Sequence, residues 1–241
     1  GWMNSRARIF QIGFNKCGTT TLHRFFRDNG INSIHWENGE IAVNFHARSS
    51  RGEDPFADYP DVAAFTDMIK VRGSLLEPYK SFEEIYRWYP DSYFILNTRN
   101  ACDWIESRVR HGLVRHYQAA LGLPDEASVR RYWLQEWYRH HANVLDFFQA
   151  MPQQLLVYDF DRDTPAKLVR FLSPAWNLDP ALFGRHNTTR TRWNSSPSGP
   201  VAIRSALAPL HRLVERKYYV DEIYDALIVR PLVVVSDRLL Y

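Results

Sequence analysis

The chain has 241 residues, of which 45% are hydrophobic, 15% aromatic and 24% charged, a balance that excludes intrinsic disorder and lets about 70% of the extended-chain surface be buried. A formal net charge of +3 suits a small anionic ligand and argues against a nucleic-acid partner, which demands a concentrated basic stripe. Cys17 and Cys102 make neither a disulfide framework nor a zinc motif, no apolar run of about 18 residues offers a membrane span, and the N-terminus has no signal-peptide pattern, so a cytoplasmic location is expected.

Residues 8–13 (RIFQIG) form a short apolar run ending at glycine, and Leu22, Phe25 and Phe26 share one face of the helix expected next, stopped by Asn29-Gly30. A second strand is expected over 31–36, a polar and irregular stretch to about Pro60, and a third strand over 62–66. Residues 81–89 read as helix, 92–97 (SYFILN) as strand and 101–110 as helix. A long helix follows over 125–150, with Val129, Trp133, Trp137, Val144 and Phe148 at helical spacing as a packing stripe. A strand over 155–160 and a helix over 165–172 complete the series. Strand and helix alternate throughout, which predicts an α/β fold with a mostly parallel, roughly five-stranded central sheet flanked by helices. The turn-rich string 194–200 (NSSPSGP) reads as a linker, dividing a domain over 1–196 from a linker and helical tail over 197–241.

The first strand and helix are joined by Gly13-Phe14-Asn15-Lys16-Cys17-Gly18-Thr19-Thr20-Thr21. Small residues before a helix N-terminus let backbone N–H groups converge on an anion, and the helix dipole favours negative charge there. Against the nucleotide-binding pattern GxxxxGK[ST], Gly13, Gly18 and Thr20 align, but Thr19 stands in the lysine's place and Lys16 lies inside the loop. A lysine so placed can instead reach the 5′ end of a shorter nucleotide, although the loop by itself does not name the anion.

This segment, 9–26 (IFQIGFNKCGTTTLHRFF), resembles the 5′-phosphosulfate-binding loop of sulfotransferases that use 3′-phosphoadenosine 5′-phosphosulfate, with Asn15 where many members carry proline. Residues 93–111 (YFILNTRNACDWIESRVRH) resemble the same family's 3′-phosphate site, an arginine at a strand end and a serine eight residues on, here Arg99 and Ser107. The resemblance implies a P-loop-containing nucleotide-binding fold and a sulfotransferase activity with that donor, requiring no metal. It implies a nucleotide contacted by Asn15, Lys16, Cys17, Gly18, Thr19, Thr20, Thr21, Arg99 and Ser107, with Arg190 and Arg192 of the late loop 186–193 closing over its phosphates. Lys16 would stabilise the leaving oxygen, and the acceptor's proton needs a base. Glu37 ranks first for that role, then His35, both at the end of the second strand, and then Asp67 at the end of the third.

Two rival readings stand beside this one, a small-molecule kinase of similar fold and a non-catalytic nucleotide-binding module. The acceptor would be a hydroxyl or amine on a small molecule, glycan or lipid, received by 39–60 and 112–124. Residues 215–241 (ERKYYVDEIYDALIVRPLVVVSDRLLY) are similar to the C-terminal region of subunit L of NADH-quinone oxidoreductase, just before that protein's last membrane helix. No quinone chemistry is carried over. The tail reads as a fused fragment, or as an amphipathic helix that packs on the domain or mediates self-association.

Overall fold

A computed structural model describes residues 7–184; Arg190, Arg192, the linker and the tail expected from the sequence lie outside the described residues. Five strands form one parallel sheet: β1 (Ile9–Gln11), β2 (Ser33–His35), β3 (Ala64–Thr66), β4 (Tyr93–Thr98) and β5 (Leu155–Asp159), in the order β2-β3-β1-β4-β5. The helices are α1 (Thr19–Asp28), α2 (Glu40–Ser49), α3 (Phe82–Trp88), α4 (Ala101–Arg110), α5 (Val114–Leu121), α6 (Glu126–Phe147) and α7 (Pro165–Leu172). None of the helices among the described residues is long and apolar enough to cross a membrane.

Period-two alternation along the strands explains the layering. Ile9 and Ile95 join Leu22, Phe25 and Phe26 of α1 and Leu168 and Leu172 of α7 in one core. Phe10, Phe65, Phe94 and Leu96 point the other way, into a larger core with Phe82 of α3, Trp104 of α4 and Trp133 and Trp137 of α6. Each such side chain, fully withdrawn from water, contributes roughly 1.5–3 kcal/mol. The aromatic stripe of α6 is therefore packing, as its spacing predicts.

One helix, α2, occupies a stretch expected to be irregular, and a second, α5, a stretch for which no element is expected; neither has a side-chain N-cap. α2 starts after Gly39 at φ 86° with no side-chain cap, and α5 starts after Leu113, also uncapped. Tertiary burial of Ile41, Ala42 and Phe45, and of Tyr117, holds them instead. By contrast α4 begins directly after Arg99 because Asn100 accepts from the amides of Cys102 (2.9 Å) and Asp103 (3.2 Å).

The chain leaves β1 toward the β3 side of the sheet, and β4 toward the β5 side. The crevice beyond the carboxyl ends of β1 and β4 is thus the topological switch point, where such sheets bind ligands. The glycine loop enters it from one strand and Arg99 from the other.

Candidate functional site

The loop after β1 is built by turning its carbonyl groups inward. Gln11 Nε2 donates to Gly13 O (2.6 Å), Asn97 Nδ2 to Phe14 O (3.1 Å) and Cys17 O (2.9 Å), and Trp104 Nε1 to Asn15 O (2.9 Å). Arg99 Nη1 donates to Lys16 O (3.3 Å), and the Leu22 amide to Gly18 O (3.0 Å). Every carbonyl from Gly13 to Gly18 is taken by a donor of the scaffold. The amides of Gly18, Thr19 and Thr20 have no partner among the described residues, as expected at a helix N-terminus. Carbonyls inward and amides outward is the polarity of an anion cradle.

Close packing fixes that polarity. A Cβ on Gly13 would lie 2.2 Å from Asn97 O. One on Gly18, at φ +77°, would lie 2.3 Å from the Phe160 ring. Lys16 itself sits at φ 63°, a left-handed conformation that costs a non-glycine residue about 1–2 kcal/mol. Burial lowers the Lys16 pKa, Asp67 opposes the shift, and Arg108 adds to it. Burial also pushes the Cys17 thiol up, so it stays protonated.

Thr19 and Thr21 are buried at the start of α1, with Thr20 half-buried between them. Ser107 is buried in α4, one turn beyond Trp104 on the side facing the loop. Arg99 is half-buried; its Nε is buried without a hydrogen bond, and Nη2 lies 4.0 Å from Asp161 Oδ1.

The three candidate bases share one electrostatic neighbourhood with Lys16. Glu37 and Lys16 both act on the charge of His35, and Lys16 and Asp67 act on each other. Glu37 is exposed, in a turn where Trp36, Glu37 and Asn38 hold φ of 57°, 47° and 56° before Gly39 at 86°. Backbone strain of this kind persists where the surroundings enforce it; here the Trp36 amide is tied to Thr66 O (3.1 Å) and the Gly39 amide to Trp36 O (2.8 Å). The Thr66 hydroxyl donates to Ile34 O (3.0 Å), so it accepts at 3.0 Å from a His35 Nδ1 that carries the proton. Nε2 is then the basic nitrogen, 3.8 Å from Asp67 Oδ2, and burial drops the ring's pKa to about 4.

Asp67 is also in the left-handed region, at φ 56°, its amide donating to Gln11 Oε1 (2.7 Å). Burial raises its carboxyl to about 6, against the pull of Lys16, Arg108 and a hydrogen bond from Thr19. Its Oδ1 is buried with no hydrogen bond.

Sequence reasoning missed Gln11, Asn97, Trp104 and Arg108 as parts of this site. Gln11 and Asn97 left a signal: each is a polar residue inside an otherwise apolar strand. His140 and His141, adjacent in α6, diverge: His140 Nε2 meets Ile12 O (2.6 Å) and His141 Nε2 meets Thr98 Oγ1 (2.9 Å).

No family model matches the chain, and no curated protein matches it. Among solved structures it is similar to the crystal structure of a sulfotransferase from Alicyclobacillus acidocaldarius. The TM-score is 0.51 at 18% identity, over 89% of this chain and 98% of that one. At this identity the likeness is one of fold: the chain has a sulfotransferase-like α/β fold of the P-loop type.

Proposed function

We propose that the chain is a sulfotransferase that takes a sulfuryl group from 3′-phosphoadenosine 5′-phosphosulfate and passes it to a hydroxyl or amine of a small molecule, glycan or lipid. The observation that carries this reading is the loop from Gly13 to Gly18, whose carbonyls are all bonded inward while the amides that follow face away unpaired, with Lys16 inside it. That donor set suits a compact 5′-phosphosulfate. A second cationic centre, Arg99, reaches the Lys16 carbonyl from the end of β4 with a buried Nε that has no hydrogen bond, and Ser107 lies in the helix that follows it.

In this reading the amides of Gly18, Thr19 and Thr20, with Lys16, hold the 5′ end of the nucleotide, and Arg99 and Ser107 hold its 3′-phosphate. When bound, the donor supplies an activated sulfuryl group whose phosphate departs. Lys16 offsets the charge that collects on the departing oxygen. Asp67 takes the acceptor's proton, because a carboxyl near 6 is basic enough and yet ionised at neutral pH. His35, held near 4, is a weaker base, and Glu37 lies at the exposed rim, where it and Trp36 would meet the acceptor. The stretches 39–60 and 112–124 complete that pocket, and Arg190 and Arg192 would close over the phosphates. The boundary at 196 and a packing or self-associating role for the tail belong to the same proposal.

Calorimetry with adenosine 3′,5′-bisphosphate, without metal, tests this reading against Mg·ATP. Binding of the bisphosphate supports it; preference for Mg·ATP overturns it in favour of a kinase.

A further inference from the structure

Arg108 is 1% exposed, yet no carboxylate of the described residues lies within ion-pair distance of it. Its Nε and Nη2 both donate to Asn15 Oδ1, at 3.0 and 2.7 Å, and its Nη1 donates to Tyr117 OH at 3.2 Å. The faces of Trp104, Tyr117, Trp133 and Phe14 surround the guanidinium, with ring centroids 4.4, 5.1, 5.1 and 5.6 Å away. Glu77 stands one hydroxyl further on, accepting from Tyr117 OH at 3.0 Å, and it already holds Lys80 at 2.5 Å. A fully buried cation with only neutral and aromatic direct partners is expensive for a fold to keep. Stability alone gives no reason for it; an apolar side chain of similar volume would fill the space at less cost.

We propose that Arg108 is a positioning residue for the anion loop: it clamps Asn15 from behind, and it places a buried positive charge beneath the amides that receive the anion. The clamp accounts for the departure at position 15. A proline there would fix the backbone through its ring. Asn15 achieves the same from outside, its side-chain oxygen held by Arg108 and its carbonyl by Trp104 Nε1. The next residue, Lys16, is thereby held at its left-handed φ. The charge reaches the site as well as the clamp, since Arg108 acts on Lys16 and on Asp67. A bound anion relieves a cation that the protein leaves without a direct counter-charge. This inference rests on the loop being an anion site, but not on which nucleotide fills it.

The test compares the whole chain with its Arg108→Met, Arg108→Lys and Asn15→Ala variants, using adenosine 3′,5′-bisphosphate and inorganic phosphate as probes. Unliganded thermal midpoints are measured alongside. Arg108→Met should leave the unliganded midpoint little changed, because removing a buried charge offsets the loss of both donors to Asn15 Oδ1. Its affinity for the bisphosphate should fall by about thirtyfold or more, roughly the loss expected for an uncompensated charged contact. Arg108→Lys should recover part of that loss by restoring charge without the two-pronged clamp. Asn15→Ala leaves the buried charge in place but strands two of its donors; it should lower the midpoint and weaken binding by about tenfold, the scale of one charge-assisted hydrogen bond. Variants that bind both probes within twofold of the parent would overturn the proposal, as would a fall in midpoint with affinity unchanged. If the parent chain binds neither probe, the anion-site reading fails first and the proposal falls with it.

Discussion

The side-chain amide of Asn97 gives both of its hydrogens to the loop after β1, one to Phe14 O at 3.1 Å and one to Cys17 O at 2.9 Å. Its oxygen is in turn held by Gln11 Nε2 at 2.5 Å. Two fully buried side chains thus tie the ends of β1 and β4 to the loop, and Gln11 extends the tie to β3 through the Asp67 amide. Asn97→Leu leaves two loop carbonyls without donors. It should lower stability by about 2–4 kcal/mol, the cost of stranding buried polar groups. Bisphosphate affinity should fall with it, read by denaturant titration and calorimetry.

Gly18→Ala places a methyl group 2.3 Å from the Phe160 ring at a backbone φ of +77°. Stability should drop and bisphosphate binding should be lost. Adding Phe160→Ala relieves the clash but not the backbone strain. The double variant should therefore regain part of the stability and little of the binding. Full recovery of both would show that the positive φ is not needed.

Acid stability follows from groups that shift in opposite directions. Burial holds His23, His35, His140 and His141 at about 4, 4, 3 and 4, from 6.5. The unfolded chain therefore takes up protons first, and stability is lost as pH falls below about 6.5. Asp67 has the other sign: raised from 3.8 to about 6, it makes the folded state less stable as pH rises through that window. Four imidazoles outweigh one carboxyl. Denaturant midpoints should fall from pH 6.5 to pH 4.5.

Asp67→Asn removes the opposing contribution. It should stabilise the protein at pH 7 by up to about 3 kcal/mol, the free-energy equivalent of a carboxyl raised from 3.8 to about 6. The same variant should lose turnover and keep bisphosphate affinity within a few-fold, whereas Glu37→Gln should keep a measurable rate. A destabilised Asp67→Asn with normal turnover would place the base elsewhere.

The sheet was legible because β1, β4 and β5 alternate or run apolar between glycine, asparagine and proline, and α1 shows its buried face in Leu22, Phe25 and Phe26. The loop was legible because Gly13, Lys16 and Gly18 have fixed chain separations. Helices α2 and α5 were not, since neither has a side-chain N-cap and both rest on contacts distant in sequence. Arg108 was invisible for a related reason. In the run Ser107-Arg108-Val109-Arg110 a basic residue reads as solvated, and only the packing of Trp104, Tyr117 and Trp133 around it makes it buried. The three candidate bases lie 32 residues apart at most, and it took the β2–β3 pairing to bring them to one place.

If Lys16 and Arg99 hold opposite ends of one nucleotide, affinities for two related ligands must separate them. Adenosine 3′,5′-bisphosphate and adenosine 5′-monophosphate are titrated into the parent chain, Lys16→Ala and Arg99→Ala. Lys16→Ala should weaken both ligands. Arg99→Ala should weaken the bisphosphate by about tenfold or more, the worth of a charged hydrogen bond to phosphate, while leaving the monophosphate within about threefold. Equal losses of both ligands in Arg99→Ala would rule out a 3′-phosphate contact and reduce Arg99 to a support for the Lys16 carbonyl.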